Sequence, residues 1–318
     1  GTFVYFNPDG EKITDKETLE RFRKLVIPPA WTDVWICPNP KGHLQVTGRD
    51  AKGRKQYRYH PDWSSSRNAN KFSRMGAFAE LLPDIRKNIE KDINRPHYDR
   101  RKITATVLRL IDTAHIRVGN KAYAKANKSF GLTTLRDRHV KINGSNIKLQ
   151  FTGKKGVAQD IHLQDRKLAK IVQKCKDIPG QDLFQYFDDE GNRQTIESGD
   201  VNNYLREVSG LDFTAKDFRT WAGTVQMIKC LHGAKIEAPE GKPENYVKEA
   251  VKEVASRLGN TPTVCSKYYI HPEVATYFKD GKLESLIKKA EKKALRATGM
   301  ECYELAAVLL LKELEKNT

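Results

Sequence analysis

The stretch Lys216-Asp217-Phe218-Arg219-Thr220-Trp221 organises the interpretation of the whole chain. It opens a helix predicted over residues 216–232. An arginine keeps its charge at any working pH, and its planar fork matches two phosphate oxygens. Arg219 is therefore a candidate phosphate ligand, although an arginine on a helix can also serve only as a cap or as an ion-pair partner.

The composition points to a polyanionic partner. The chain has 57 Lys and Arg residues against 40 Asp and Glu, a formal net charge of +17 and a pI near 9.5, and the basic residues are spread along its whole length. Nucleic acid is the natural partner, because no Lys/Arg-rich amphipathic helix suited to a membrane surface stands out. The longest strongly apolar stretch, 305–311, is far short of the roughly 20 residues that a membrane span needs, so no contact with a membrane is expected.

The pattern along the chain predicts an α+β protein with two domains. Residues 3–63 alternate short β-favouring runs with Pro, Gly and Asn, interrupted by one helix at 16–25, which predicts a small β-rich N-terminal domain over residues 1–76. The polar segment 64–70 (SSSRNAN) is predicted to be a linker or a long loop. Residues 77–318 are predicted to form a larger, mainly helical domain.

The second domain combines helices with one strand-rich insertion. Ile103, Val107 and Leu110 lie on one face of a helix predicted to run to about Arg117. Residues 140–142 and 147–151, joined by Asn-Gly-Ser, predict a hairpin followed by a further strand, and a basic turn, TGKKG, lies at 152–156. Later helices are predicted at about 165–175, 200–208, 216–232, 244–258, 262–270 and 301–314.

Cutting a nucleic-acid strand without a metal ion requires a nucleophile, cations around the phosphorus and an acid for the leaving oxygen. A tyrosine hydroxyl, with an ordinary pKa of about 10, is a weak nucleophile, but its phosphodiester has nearly the energy of the bond it replaces. The break can then be resealed without ATP. A lysine near arginines loses its proton more readily and can serve as the acid.

Five segments resemble, in the same order, the motifs of type IB DNA topoisomerases of the small poxvirus-like and bacterial kind. They are GRKQYRY at 53–59, HIRVGN at 115–120 with the later FGLTTL at 130–135, FTGK at 151–154, KDFRTW at 216–221 and TPTVCSKYY at 261–269. The resemblance spans nearly the whole chain. It implies the catalytic fold shared by these enzymes and the tyrosine recombinases, and an ATP- and metal-independent relaxation of supercoiled DNA.

The resemblance also implies a role for each matching residue. Tyr269 would join to the 3′ phosphate of the cut strand. Arg117 and Arg219 would hold the nonbridging oxygens. Lys154 would protonate the departing 5′ oxygen, and Lys216 would assist. Taken by itself, Arg117 near a helix C-terminus could simply complement the helix dipole.

Three positions need a choice or an explanation. Tyr268 competes with Tyr269, but neighbours on a helix point about 100° apart, so only one can face the phosphate. Viral members have a histidine nine positions before the nucleophile, where this chain has Asn260, whose amide can donate a hydrogen bond to the phosphate but brings no charge. Lys155 cannot be separated from Lys154 by physical reasoning alone; its position after Gly153 favours Lys154.

The N-terminal match implies a strand that lies in the major groove. Glutamine suits adenine edges, and arginine and lysine suit phosphates. The predicted DNA-binding residues are Arg54, Lys55, Gln56, Tyr57, Tyr59 and, in the second domain, Tyr123.

Two other functions stay open from the sequence. A tyrosine recombinase uses similar chemistry, but Lys216 stands where recombinases usually have histidine. A noncatalytic protein that binds duplex DNA would explain the charge without any chemistry.

Several absences complete the expectations. The five cysteines lack zinc spacing and are expected to be reduced thiols, so neither a metal nor a cofactor is predicted. The partner expected is double-stranded DNA, and the protein is expected to be a monomer in the cytoplasm, associated with the nucleoid if its source is bacterial.

Overall fold

The computed structural model describes residues 3–237, 240–294 and 299–316, and the side chains of all of these except 64–70. The chain divides into two compact units, one ending at Phe72 and the other beginning at Ser73. This division lies a few residues before the boundary expected at 76/77.

The first unit is built on a three-stranded antiparallel sheet. Its strands are β1 (Thr32–Ile36), β2 (Leu44–Arg49) and β3 (Lys55–Tyr59), with β2 in the centre. Helix α1 (Lys16–Lys24) precedes them, and its first turn is capped by Asp15, whose carboxylate accepts a 2.8 Å hydrogen bond from the Thr18 amide. Phe22, Ile27 and Val46 are buried and form the small core. The predicted β-rich N-terminal region and its single helix are confirmed.

The prediction of a linker at 64–70 is wrong, because helix α2 (Pro61–Ile93) runs through this segment. The segment is rich in serine and asparagine, which have only moderate helix propensity, and this composition favours a loop. The segment contains neither glycine nor proline, however, and Pro61 stands at the first helical position, where a proline costs no hydrogen bond. Nothing in the local sequence therefore breaks the helix.

The second unit is mainly helical, as predicted. Its further helices are α3 (Arg100–Ala114), α4 (Lys121–Asn127), α5 (Arg166–Lys176), α6 (Ser198–Ser209), α7 (Ala215–Glu237), α8 (Pro243–Arg257), α9 (Pro262–Tyr268), α10 (Glu273–Lys279), α11 (Leu283–Ala294) and α12 (Cys302–Lys316). Strands β4 (Val140–Asn143), β5 (Asn146–Thr152) and β6 (Ala158–Gln164) form an antiparallel sheet in that order, and β7 (Gln185–Phe187) pairs with β8 (Arg193–Thr195). The sequence patterns missed α4, α10, α11 and the β7–β8 pair.

The core of the second unit lies between α3, α6 and α7. Helix α3 is buried along most of its length, and α7 packs beside it. In the KDFRTW stretch, Phe218 is buried and meets the ring of Phe78 edge to face, with the ring centroids 5.1 Å apart. The stretch thus contributes core residues as well as charges. Among the described helices, none has the length and the apolar composition that a membrane span requires.

An ion network holds four of these helices together. The guanidinium of Arg86 on α2 makes two hydrogen bonds to Asp112 on α3, of 2.8 and 3.0 Å, and two to Glu304 on α12, of 2.9 and 2.8 Å. The indole of Trp221 on α7 donates to the same Glu304 carboxylate at 3.0 Å. Both carboxylates are buried, and each forms an ion pair with this same guanidinium.

Candidate active site

Arg219 lies in the second turn of α7 and is only 4% exposed. Its Nη1 donates to the carbonyl oxygen of His115, and its Nη2 donates to that of Leu258 at 2.7 Å. Its Nε is buried and has no hydrogen-bond partner among the residues that the structure describes. Burial, with a contribution from the charge of Arg117, lowers the pKa of Arg219 to about 10, so the guanidinium is still charged at neutral pH.

His115 ends α3 in the left-handed conformation, with φ 55° and ψ 24°. Few residues other than glycine adopt this conformation, and here it turns the chain so that the His115 carbonyl faces Arg219. The predicted helix therefore ends before Arg117. Arg117 lies two residues beyond this cap.

Arg117 follows in an irregular segment supported by the later FGLTTL stretch. The amide of Leu132 donates to the Arg117 carbonyl at 2.9 Å, and the amide of Thr133 donates to the Val118 carbonyl at 2.7 Å. A Cβ at Gly131 would lie 2.6 Å from the Arg117 carbonyl oxygen, so only glycine permits this close approach. This explains why a glycine stands in the stretch.

The side chain of Arg117 reaches the connection between α8 and α9. Its Nη2 donates to the carbonyl of Gly259 at 3.0 Å and to Oδ1 of Asn260 at 2.5 Å. Burial lowers the pKa of Arg117, and the neighbouring Tyr269 opposes this shift. Two guanidinium groups from separate parts of the chain thus converge on residues 258–260.

Tyr269 comes directly after α9. That helix begins at Pro262 and is capped by Thr261, and the Tyr269 amide donates to the carbonyl of Cys265 at 2.9 Å. The guanidinium carbon of Arg219 lies 5.2 Å from the centre of the Tyr269 ring. The ring of Tyr268 is 40% exposed and lies under the ammonium group of Lys267, at 5.5 Å. Tyr269 is therefore the member of the pair that faces Arg219.

The backbone of Tyr269 rests on α7 at Gly223, one helical turn beyond Arg219. A Cβ built on Gly223 would lie 2.3 Å from the Tyr269 carbonyl oxygen and 3.2 Å from the Tyr269 Cβ. Two residues further on, the His271 amide donates to Oγ1 of Thr224 at 3.0 Å. Gly223 could not be predicted from the sequence, because a glycine inside a helical pattern carries no signal of a distant backbone packed against it.

Lys154 lies in the turn between β5 and β6, as the hairpin pattern predicted. The Gly153 amide donates to the Val157 carbonyl at 2.7 Å, and Lys155 adopts the left-handed conformation with φ 64°. The residue is solvent-exposed as a whole, yet partial burial lowers the pKa of Lys154. The charge of Arg117 lowers it further. The pKa of Lys154 thus responds to the charge of Arg117.

Lys216 and Tyr269 also act on Lys154. The charge of Lys216, in the first turn of α7, adds to the lowering of the Lys154 pKa, whereas Tyr269 opposes it. The side chain of Gln159 on β6 lies against Gly259, because a Cβ there would be 2.9 Å from its Nε2. The predicted catalytic residues of the second unit are therefore neighbours, although they come from four separated segments of the chain.

The last predicted residue of the second unit, Tyr123, lies in α4 and is half-buried. Its amide donates to the side chain of Asn120, which caps this helix, at 2.9 Å.

In the first unit, strand β3 presents three of the predicted DNA-binding residues on one face. Lys55, Tyr57 and Tyr59 alternate with less exposed neighbours along the strand. The rings of Tyr57 and Tyr59 stack with centroids 6.3 Å apart, and the ammonium of Lys55 lies 5.8 Å from the Tyr57 ring centre. This face combines cationic and aromatic groups, the types that contact phosphates and bases.

Arg54 and Gln56 are held by an acidic residue that lies outside the motif at 53–59. The Asp50 carboxylate accepts a 2.8 Å hydrogen bond from Nε of Arg54 and a 2.9 Å bond from the Gln56 amide. The Arg54 hydrogen bond lowers the pKa of Asp50 to about 2, so the carboxylate is ionised at neutral pH. Strand alternation also separates Gln56 from the face of Tyr57 and Tyr59.

Among the described residues, no group of three or more His, Cys, Asp or Glu side chains could hold a metal ion. The candidate site instead gathers arginine and lysine side chains around one phenol. A β-rich unit followed by a helical unit with such a site is typical of enzymes that act on DNA through a tyrosine.

Comparison with known protein families agrees with this class. The family model for the eukaryotic DNA topoisomerase I catalytic core matches residues 54–297, and that for the N-terminal domain of bacterial DNA topoisomerase IB matches residues 2–50. The chain therefore belongs to the type IB DNA topoisomerases. It is an isomerase whose substrate is DNA.

Individual relatives carry the same description. The chain is 34% identical to a DNA topoisomerase 1B of Acanthamoeba polyphaga mimivirus over 84% of its own length and 82% of that protein. It is 23% identical to the DNA topoisomerase 1B of Vaccinia virus (strain Copenhagen) over 89% of its own length and 92% of the viral enzyme. A DNA topoisomerase 1 of Mycosarcoma maydis is 24% identical over 54% of this chain and 19% of that protein.

Proposed function

We propose that this topoisomerase relaxes supercoiled duplex DNA without ATP or metal, by cutting one strand through Tyr269, letting it rotate and resealing it. The observation that carries the proposal is the packing of the Tyr269 ring against the buried guanidinium of Arg219, with Arg117 and Lys154 as electrostatic neighbours. A nucleophile, two fixed cations and a proton donor are the groups that transfer of a phosphodiester needs.

In the cleavage step, Oη of Tyr269 attacks the phosphorus and a P–Oη bond forms. The P–O5′ bond breaks, the phenolic proton passes to solvent, and the 5′ oxygen leaves as a hydroxyl. The product is a 3′-phosphotyrosyl bond, and its formation releases little free energy because one phosphodiester replaces another. Attack by the 5′ hydroxyl after rotation reverses the step and restores the strand.

The arginines stabilise the negative charge that develops on the nonbridging oxygens. Arg219 uses two hydrogen bonds to backbone carbonyls to fix its guanidinium beside the Tyr269 ring. Because the arginine side chains are already fixed before the reaction, they do not have to reorganise in the transition state. The same prealigned clamp would serve cleavage and resealing, since both pass through the same pentacoordinate phosphorus.

Lys154 supplies the proton to the 5′ oxygen. Its lowered pKa brings the ammonium closer to the neutral range, which makes it a better proton donor, and Lys216 assists through its charge. Asn260 donates a hydrogen bond from its side-chain amide to the phosphate.

The central experiment incubates supercoiled plasmid with the protein in EDTA without nucleotide. The wild-type chain should relax the plasmid, Tyr269→Phe should not, and the matched variant Tyr268→Phe should remain active. A Tyr269→Phe protein that still relaxes the plasmid would contradict the mechanism. An adduct on a nicked oligonucleotide that survives SDS excludes a merely DNA-binding protein, and formation of strand-exchange junctions from paired sites would point instead to a recombinase.

A second experiment separates Lys154 from Lys155. Replacing the bridging 5′ oxygen by sulfur gives a leaving group that needs no proton. Lys154→Ala should cut the ordinary substrate slowly, by about 10²- to 10⁴-fold, and the sulfur substrate at nearly the wild-type rate. Lys155→Ala is the control and should cut both substrates normally. If sulfur rescues Lys155→Ala and not Lys154→Ala, the assignment of the acid is reversed.

We further propose that the protein binds duplex DNA as a monomer in the cytoplasm, at the nucleoid in a bacterial source. The exposed cationic and aromatic face of β3 supports contact with a duplex groove. Light scattering of the protein with and without a short duplex should give one chain per duplex; two chains would contradict this. A fluorescent fusion that does not colocalise with DNA would exclude the proposed location.

A further inference from the structure

One cavity of the first unit is lined mostly by apolar side chains. Its volume is about 1250 Å³. The large apolar residues that line it and are nevertheless exposed are Phe3, Val4, Phe6, Val34 and Trp35. Phe6 is 61% exposed and Trp35 is 49% exposed. Exposed apolar groups that share one concave surface, instead of being scattered singly, are typical of an interaction site.

The charges around the cavity do not suit a nucleic acid. Two acidic residues, Glu17 and Glu20, and two basic residues, Arg21 and Lys24, line it. Lys24 is also paired with Glu20, at 2.9 Å. A surface that binds a polyanion needs an excess of cations, and this lining has equal numbers of both signs. The cavity is therefore better suited to a ligand that is mainly apolar.

Arg21 offers this cavity one hydrogen-bond donor. Its Nη2 donates to the carbonyl of Cys37 at 2.6 Å, and its guanidinium carbon lies 5.0 Å from the centre of the Phe22 ring. Its Nη1 is buried and has no hydrogen-bond partner in the part of the chain that the structure describes. A buried charged donor without an acceptor is costly, so a ligand carboxylate beside Arg21 would be stabilised.

Strand β1 borders the cavity with its residues 34–36. It is an edge strand, because it pairs with β2 on one side and with no described strand on the other. An exposed edge presents free backbone groups to which an extended peptide can add as a further strand, and pockets beside the edge receive side chains of that peptide. The position of the cavity along β1 therefore favours an extended peptide over a compact ligand.

We propose that this cavity binds an extended peptide segment of another protein. The peptide pairs with the edge of β1, places apolar side chains in the cavity and directs one carboxylate to Arg21. Apolar burial supplies most of the affinity, and the single ion pair fixes the register of the peptide. The inference uses residues of the first unit alone and is independent of the proposed function.

Selection from a library of short random peptides displayed on phage tests the proposal, with the full chain as the target. The selected peptides should be rich in aromatic and aliphatic residues and should share an acidic residue. Trp35→Asp introduces a charge at the cavity and should weaken their binding by about 10- to 100-fold, the scale of a lost aromatic anchor. Thermal melting shows whether each variant is folded.

Val26→Asp is the matched control. Val26 belongs to the same unit and is 68% exposed, but it does not line the cavity. Its backbone is left-handed, with φ 48°, a conformation that aspartate adopts more readily than valine. The selected peptides should therefore bind Val26→Asp and the wild type equally.

The role of Arg21 is tested by changing the acidic residue of a selected peptide to its amide. This change should weaken binding to the wild type by about 10-fold or more, the scale of a hydrogen bond between charged groups. It should cause no further loss with Arg21→Gln, because the partner of the carboxylate is already absent. An equal loss with both proteins would show that the carboxylate binds elsewhere, and the inference would be wrong.

Three other results would also overturn the proposal. One is a selection that enriches no peptide or only basic peptides, and another is equal binding of the selected peptides to Trp35→Asp and the wild type. The third is a dimer of the wild-type chain in sedimentation velocity that Trp35→Asp dissociates, because the occupant would then be a second copy of this chain.

Discussion

Replacing Gly223 by alanine should slow DNA cleavage strongly while leaving the protein folded. The new Cβ would lie 2.3 Å from the Tyr269 carbonyl oxygen, whereas real Cβ atoms essentially never approach closer than 3.0 Å. The chain at Tyr269 must therefore move by at least 0.7 Å, the difference between these two distances. Misplacing a reacting group by about 1 Å can cost about 10²-fold in rate, so a loss of that size is expected.

The effect on stability should be much smaller than the effect on rate. Alanine is favoured over glycine inside a helix by about 0.5–1 kcal/mol. Overpacking costs about 1–3 kcal/mol, so the two terms partly cancel. A net destabilisation of about 1 kcal/mol would lower the Tm by roughly 2–4 °C in a unit of this size. Most of the molecules remain folded at assay temperature, and the rate therefore reports the position of Tyr269.

Gly233→Ala, in the same helix, is the matched control. No atom lies within 4 Å of the position where its Cβ would be built, so it gains helix propensity without a clash. It should melt slightly higher than the wild type and cleave at the same rate. The assay is single-turnover cleavage of a nicked oligonucleotide, with DNA affinity measured in parallel. Wild-type cleavage by Gly223→Ala, or an equal loss in Gly233→Ala, would refute the reasoning.

Three other contacts can each be tested by one substitution. Arg219→Lys should lower the rate of single-turnover cleavage by about 10²- to 10³-fold with little change in DNA affinity. The reason is that an ammonium group cannot replace the planar guanidinium that donates to two carbonyls. An unchanged cleavage rate would contradict this. Asp50→Ala should release Arg54 and so tighten the binding of duplex DNA. In a binding titration, the salt dependence of the affinity should become steeper by about one counterion. An unchanged slope would show that Arg54 does not reach phosphate. Burial raises the pKa of Glu304, but the hydrogen bonds from Arg86 more than offset this effect and hold the pKa below its ordinary value of 4.5. The stabilisation that ionised Glu304 gives the fold is therefore present above pH 4.5 and is lost as the pH falls through the folded-state pKa. Glu304→Gln should therefore destabilise by about 3 kcal/mol near neutral pH in denaturant unfolding, with a difference from wild type that shrinks below pH 4.5; a constant difference would contradict the network.

Local patterns were sufficient where neighbouring residues decide the outcome. The hairpin at β4 and β5 was predicted from alternation and an Asn-Gly-Ser turn, and it forms with Asn143 opposite Asn146. Helix α5 was predicted from its apolar period and begins behind Asp165, which caps it. These elements carry their own start and stop signals.

Predictions failed where a local signal was weak. The polar segment 64–70 was expected to be a linker and is helical within α2, because no residue in it breaks a helix. The helix before Arg117 was extended three residues too far, since its left-handed end at His115 uses a residue type that rarely marks a helix terminus. In both places the composition was ambiguous.

The sequence by itself contains the order of motifs along the chain, the excess of positive charge and the residue types able to cut a phosphodiester. These features are enough to indicate the family and to name the candidate catalytic residues. Only the tertiary structure decided that Tyr269 rather than Tyr268 faces Arg219, that Asn260 holds Arg117 and that Gly223 supports the nucleophile. The physical reason is that motifs depend on which side chains are present, whereas hydrogen bonds and steric contacts depend on distances between segments that are far apart in the chain. Such distances come from the packing of α3, α7 and the 258–260 connection, and no local pattern encodes them.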